Sequence, residues 1–433
     1  MADQLFIGID NGTQGTKCVV FSRERRKILS SASAPHALIE NESGRREQEP
    51  RWWIEAATAA LSECLSDPGV DRSLVAAIGV SGQQHGFVPL DAAGNVLRPA
   101  KLWCDTETVP QSEQITAAAG GPKKVLAAIG NAVAAGFTAS KVLWLKQHEP
   151  ETYARLATIL LPHDYLNFWL TGERRTECGD ASGTAYFDVR KRKWSRVLLR
   201  AIDDSGRLES CLPEIVASDA PNGRLLPAIA AQFGLPADIL VSAGGGDNMM
   251  AAIGTGNVSP GVVTASLGTS GTIYSYSDRP VIDPAGELAA FCSSSGGWLP
   301  LVCSMNVTVA TELTRDLFGQ DVATFDAEVR QSPVGAGGLR LLPYFNGERT
   351  PALPRARATL SGISSTNFER KNVCRAAMEG ATLGMRYGLD VLKRRGVAPA
   401  EVRLVGGGSK SRIWRQIVAD VFQCPVICPT SPE

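Results

Sequence analysis

The sequence predicts an α/β fold with a duplicated core, and three observations carry that prediction. The pattern G-T-x-G-T occurs twice, as Gly12-Thr13-Gln14-Gly15-Thr16 and as Gly268-Thr269-Ser270-Gly271-Thr272. Each copy lies between strand-like runs: Leu5 to Asp10 and Lys17 to Phe21 around the first, Val262 to Leu267 and Thr272 to Tyr276 around the second. A third glycine turn, Gly406-Gly407-Gly408-Ser409-Lys410-Ser411, joins a strand-like Val402–Val405 to a helical pattern from Arg412 to Phe422. At 433 residues the chain exceeds one typical core, so two domains are expected.

The elements follow in order. Residues 5–34 read as a hairpin extended by a third strand after the charged turn Arg23 to Lys27. A helix is predicted from Pro50 to Leu65, because proline suits a first turn and Trp52, Trp53, Ala56, Ala57, Ala60 and Leu61 recur at helical spacing. Val75 to Val80 reads as a short buried strand ending at Ser81-Gly82-Gln83-Gln84-His85-Gly86. Phe87 to Leu90 then enters a turn at Asp91 to Gly94. Residues 138–240 read as mainly helical, punctuated by Pro150, Pro162, Gly172, Pro213 and Pro221. At Ala243 the pattern restarts, with a glycine run, a helix over Asn248 to Ile253 and the second G-T-x-G-T hairpin. The expected domains are therefore 1–242 and 243–433. Arg375 to Leu392 is predicted as an amphipathic helix.

Composition narrows the function. Forty-four basic residues balance forty-four acidic ones, which gives no global reason to expect nucleic acid or an anionic membrane as partner. No apolar stretch is long enough to span a bilayer, and the N-terminus lacks a signal-peptide pattern, so a cytoplasmic protein is expected. The ten cysteines form no C-x-x-C pair and read as reduced, small hydrophobes. Four histidines make a histidine-based zinc site a poor reading. There is neither a P-loop nor a strand-borne G-x-G-x-x-G.

A tight turn of Gly and Thr between paired strands aims several backbone N–H groups and hydroxyls at one point, which suits an anion, commonly phosphate. Two such turns in the two halves of one chain suggest two similar domains gripping one polyphosphate. The third turn adds a helix N-terminus to the same kind of site. The alternative is that all three are ordinary turns, where Gly and Thr are common.

In these segments the chain resembles the FGGY group of sugar kinases, within the actin–hexokinase superfamily, and among them looks most like the xylulokinases. The resemblance runs colinearly through Gly8 to Thr13, Ser81 to Gly86, Leu102 to Asp105, Gly136 to Ala139 and Leu161 to Tyr165. It continues through Gly244 to Asn248, Ser266 to Thr272, Pro343-Tyr344, Gly347 to Pro351 and Gly406 to Gly408. It implies two actin/hexokinase-like (ribonuclease H-like) domains flanking a nucleotide and sugar cleft, which closes during the reaction. Three departures stand out. Gln83-Gln84-His85-Gly86 replaces the family's Gln-Met-His-Gly, and Trp103-Cys104-Asp105 replaces its Trp-Asn-Asp. The chain also ends at Glu433, where the family is expected to continue into a further helix and tail.

The implied chemistry is ATP-dependent phosphorylation of a ketopentose, with D-xylulose the expected acceptor and D-ribulose or a polyol as alternatives. The partners are then a small sugar and ATP, with a homodimer left open. A competing reading is a nucleotide switch of the same superfamily without a sugar substrate. Asp247, after three glycines and at a helix start, is the expected base, although as a residue alone it would also serve as a helix cap. Asp10 ends the first strand beside the first turn, where a carboxylate facing triphosphate requires Mg²⁺ between them, held through water. Gly12, Thr13, Gln14 and Lys17 are candidates for the transferring phosphate, and Gly268, Thr269 and Ser270 for the β- and γ-phosphates. Gly407, Gly408 and Ser409 are expected beside the α-phosphate and adenosine. Gln84, His85, Trp103, Asp105 and Asn248 are expected to meet the sugar, and Glu348 with Arg349 to form a structural ion pair.

Overall fold

The first strand shows how the sequence builds the scaffold. In β1 (Leu5–Asn11) the residues Leu5, Ile7 and Ile9 face the core, while Asp10 faces solvent. The computed structural model describes residues 3–430. The chain divides into two compact units: residues up to Ala251 together with Phe291–Gly297, and Ala252–Ala290 together with the chain from Trp298 onward. The expected boundary after Ser242 lies short of this division, so Asp247 and Asn248 pack with the first unit.

In the first unit β1, β2 (Gly15–Ser22) and β3 (Lys27–Pro35) form an antiparallel meander, and β4 (Val75–Gly82) joins β1 in parallel. The crossover is α1 (Pro50–Ser66), which starts at its proline and buries Trp53, Ala57, Leu61 and Leu65 against β2 and β3. Each such large apolar side chain contributes roughly 1.5–3 kcal/mol by leaving water. Helix α2 (Pro162–Thr171) packs on β4. β5 (Pro221–Arg224) pairs antiparallel with β6 (Leu240–Ser242), which lies parallel to β4. The two-residue β7 (Gly245–Gly246) runs along β4 at Ser81 and Gly82, and α3 (Asp247–Gly254) follows immediately.

The second unit repeats this topology. β8 (Val262–Leu267), β9 (Gly271–Ser275) and β10 (Trp298–Ser304) form an antiparallel meander. β11 (Glu401–Val405) lies parallel to β8, and β12 (Val426–Ile427) parallel to β11. The order β10-β9-β8-β11-β12 thus mirrors β3-β2-β1-β4-β6 of the first unit. Helices α4 (Thr308–Phe318) and α5 (Val322–Gln331) pack against the long α6 (Arg370–Arg394), which precedes β11 as α1 precedes β4. α7 (Arg412–Phe422) follows the third glycine turn.

Among its regular elements the region 138–240 is mainly helical, as expected. Besides its helices it carries short strands, among them Thr158–Leu160, Arg175–Glu177 and Glu214–Val216. Arg175–Glu177 pairs with Glu214–Val216, far along the chain, and such pairing leaves no local periodicity to read. The ten cysteines are free thiols. Among the described residues no helix is long and apolar enough to cross a membrane.

Candidate active site

The first G-T-x-G-T turn is closed by Gly12 N–H donating to the Gly15 carbonyl at 3.0 Å, where β1 passes into β2. Asp10 has two register partners, Lys17 on β2 and Ser81 on β4. Ser81 Oγ donates to Asp10 Oδ1 at 2.7 Å. The Asp10 side chain opens to solvent, yet the protein around it still raises its pKa, against the opposing effects of Ser81 and Lys17.

A buried amide network fixes this turn from beneath, and sequence reasoning missed it. Gln48 Nε2 donates to the Thr13 carbonyl at 2.8 Å, and Gln48 Oε1 accepts from Trp53 Nε1 and Gln83 Nε2, both at 2.9 Å. Thr13 Oγ1 donates to Gln83 Oε1 at 3.1 Å and accepts from Trp103 Nε1 at 3.0 Å. Trp103, 40% exposed, therefore stands beside the turn. The Gln14 carbonyl accepts from His36 N–H at 3.2 Å, which anchors the turn's backbone to the end of β3.

The pairing of β7 with β4 brings the glycine run to the Gln84 side chain. A Cβ on Gly246 would lie 2.6 Å from Gln84 Cγ, so glycine is required for this approach. Asn248 Nδ2 donates to Gln84 Oε1 at 2.8 Å and to Asp247 Oδ1 at 2.9 Å, and its backbone N–H reaches the same carboxylate oxygen at 2.7 Å. Gln84 Nε2 lies 3.0 Å from Met249 Sδ. Burial pushes the Asp247 carboxyl up to about 7, with the negative charges of Asp10 and Asp180 adding to it and the Asn248 bonds opposing it. A carboxyl poised near neutrality is matched to accept a proton at neutral pH.

His85 is tightly determined. Its ring centroid lies 4.9 Å from that of Phe137 and 5.4 Å from that of Phe291, and its carbonyl accepts from Thr138 Oγ1 at 3.1 Å. Its backbone N–H donates to Asp180 Oδ1 at 3.3 Å. Asp180, His163 and Asp164 are all buried, and the sequence assigns them no role. His163 and Asp164 lie within Leu161 to Tyr165, where a titratable pair in an apolar run is the one available signal.

One expected sugar contact is corrected. Asp105 is fully buried, accepts from Arg46 N–H at 2.9 Å and Glu107 N–H at 3.1 Å, and pairs with Lys101 Nζ at 3.2 Å. Lys101 itself is fully buried, paired also with Glu47 at 3.0 Å and Glu107 at 2.6 Å. Asp105 thus neutralises a buried cation within the core. Trp103 and Asp105 sit in a turn, where spacing gives no rule for which face each residue takes.

In the second unit a cavity of about 540 Å³ opens between the second and third glycine turns. Gly268 and Thr269 border it from one side and Gly407 and Gly408 from another, with Phe325 and Trp414 among its apolar walls. Gly408 packs so closely that a Cβ would lie 2.8 Å from Leu267 Cβ and 3.0 Å from Trp414 Cζ3. Trp414 Nε1 donates to Thr382 Oγ1 at 2.9 Å, which fixes the indole. Ser411 caps α7 by accepting from Trp414 N–H at 3.2 Å. Ser409 is a second correction: it is fully buried, and its Oγ donates to the Gly406 carbonyl at 2.7 Å, so it holds its own turn. Ser270 is half-buried and does not line the cavity. Glu348 binds Met305 N–H, Asn306 Nδ2 and the backbone N–H of Arg349, so its tie to Arg349 runs through the main chain.

Residues 5–254 match the N-terminal domain of the FGGY family of carbohydrate kinases, and residues 263–433 its C-terminal domain. The chain belongs to the FGGY family of carbohydrate kinases. This FGGY kinase is 46% identical over 433 residues to the xylulose kinase of Haemophilus influenzae, covering 99% of this chain and 88% of that protein. It is 36% identical to the xylulose kinase of Bacillus subtilis, covering 97% and 84%. Among solved structures it is similar to the xylulose kinase of Bifidobacterium adolescentis, with TM-score 0.85 and 31% identity over 100% of this chain and 90% of that one. The xylulose kinase of Rhodospirillum rubrum aligns with TM-score 0.89 and 29% identity, over 98% and 86%.

Proposed function

We propose that this FGGY kinase transfers the γ-phosphoryl group of ATP to the 5-hydroxyl of D-xylulose. The observation that carries the reading is the Asp247–Asn248–Gln84 arrangement, with its carboxyl poised at about 7, in a chain 46% identical to a xylulose kinase.

In this reading Gln84, His85, Asn248 and Trp103 orient the ketose. Asp247 accepts the proton of the attacking hydroxyl as the oxygen bonds to phosphorus, since a carboxylate is too weak a base to remove it beforehand. The cavity of the second unit takes the adenosine, with Trp414 and Phe325 against its apolar faces. The backbone around Gly268 and Thr269 takes phosphate oxygens. Gly12, Thr13, Gln14 and Lys17 face the transferring group, and Lys17 supplies positive charge.

Asp10 suits a magnesium ion held through water. It offers a hard oxygen donor, and the raising of the Asp247 carboxyl by the Asp10 charge marks a place short of positive charge. Bound there, Mg²⁺ would neutralise the polyphosphate.

The test is ADP release, in a coupled assay, over ketopentoses, ketohexoses and polyols, with Asp247→Ala beside the parent. Turnover on D-xylulose that is lost in the variant supports the reading. Turnover on another sugar moves the substrate and leaves the mechanism. Silence across the panel would return the nucleotide switch.

A further inference from the structure

Behind His85 a chain of buried charged groups runs away from the sugar residues. Asp180 Oδ1 lies 3.3 Å from His85 backbone N and 3.4 Å from His85 Nδ1. Asp180 Oδ2 lies 2.9 Å from His163 Nδ1. His163 Nε2 in turn lies 2.9 Å from Asp164 Oδ1, and Asp164 Oδ2 accepts from Leu161 N–H at 3.0 Å. His85, Asp180, His163 and Asp164 are 7%, 0%, 0% and 1% exposed. The backbone N–H of Asp180 is itself held by Glu177 Oε1 at 2.7 Å.

An ionised carboxylate only accepts hydrogen bonds, so the imidazole nitrogen beside it carries a proton. Asp180 Oδ1 stands 3.4 Å from the ring at Nδ1, a charge contact without hydrogen-bond alignment, and its hydrogen bond to His85 is to the backbone N–H. His163 has a hydrogen bond to Asp180 at Nδ1 and a charge contact with Asp164 at Nε2, and the two carboxylates favour its doubly protonated form and keep a positive charge next to Asp180. Consistent with this, burial would raise the Asp180 carboxyl, but His163 and His85 together bring it down to about 2. Burial alone would lower His163, yet its two carboxylates hold it well above the usual histidine value. The backbone of His85 adopts φ 61°, and its ring is walled by Phe137 and Phe291, so the side chain has little freedom to present another edge.

We propose that Asp180 is a positioning residue for the sugar site: it fixes a proton on His85 Nδ1, leaving Nε2 to the ketose, while His163 and Asp164 hold Asp180 in place. The sugar side of this statement rests on the reading that His85 binds the ketose. The proton placement does not.

The chain has only four histidines, so ¹⁵N-histidine labelling of the full protein gives a spectrum that single variants can assign. His85→Gln identifies the His85 signals. The expected result is a protonated, pyrrole-type Nδ1 in the parent, which moves toward a tautomer-averaged shift in Asp180→Asn. Ketose KM should rise about tenfold or more in Asp180→Asn while ATP KM is unchanged. The double variant with His85→Gln should be no worse than His85→Gln alone. A pyridine-type Nδ1 in the parent overturns the proposal, and that reading needs only His85→Gln, for the assignment, and not Asp180→Asn to fold. An unmoved Nδ1 in folded Asp180→Asn overturns it equally. If the spectra behave as expected but His85→Gln leaves ketose KM unchanged, the sugar reading fails and the proton placement stands.

Discussion

Asp10 and Asp247 are electrostatically coupled carboxylates: after burial, the charge of Asp10 is the next cause that raises Asp247 to about 7. One end of the pair stands at the tip of β1 and the other at the head of α3. A candidate cation ligand therefore tunes the proposed base, which would give the pH behaviour of the enzyme a structural origin.

Because Asp247, the proposed base, must be ionised to accept a proton, kcat/KM should fall as pH drops through about 7. Asp10→Asn removes one repulsive charge, so its residual activity should show the acid limb at lower pH. A pH–rate profile of the parent with its limb at about 4, the ordinary carboxylate value, would contradict this origin.

The same shift makes a stability prediction of opposite sense to activity. The folded pKa of Asp247 lies above its unfolded value, so its favourable contribution is present below about pH 4 and lost as pH rises through the folded pKa. At about pH 8 the charged group is a burden on the fold. Asp247→Asn should then gain about 1–2 kcal/mol, after allowance for solvent screening, while losing turnover. Thermal melts of both proteins should diverge at about pH 8 and converge near pH 4.

Asp105→Asn separates a structural residue from a ligand contact. It removes a carboxylate from the buried Lys101 and should cost about 3 kcal/mol, read as a lower denaturant midpoint. Ketose KM in the folded variant should not change. A rise in KM at full stability would restore Asp105 to the sugar site.

Trp103→Ala should raise ketose KM about tenfold by removing an apolar wall, whereas Trp103→Phe should keep most of it. Equal, unchanged KM values for both variants would make Trp103 a support for Thr13 alone.

In the second unit, Gly408→Ala would place a methyl group 2.8 Å from Leu267 Cβ and 3.0 Å from the Trp414 ring. Overpacking should cost about 1–3 kcal/mol and widen the turn that borders the cavity. Nucleotide affinity measured by calorimetry should weaken, with ketose binding intact. Undiminished nucleotide binding would remove the third turn from the proposed adenosine site.

The sequence by itself determined the elements whose signals are local. The G-T-x-G-T turns, the proline start of α1, the strand–turn–helix at Val402 to Phe422 and the repeat between halves all follow from residue type and spacing. The place of Asp247 at a helix start was legible for the same reason, since three glycines before a helix-starting carboxylate are an uninterrupted local pattern. Only the tertiary structure decided which side chains share a site. Asp180 reaches His85 across ninety-five residues, and Gln48 reaches Gln83 across thirty-five. It also turned Asp105 into the core and Ser409 onto its own backbone. A hydrogen bond or ion pair between distant segments leaves no period in the chain. Its partners are chosen by how sheets and helices pack, and burial then sets which carboxylates stay charged.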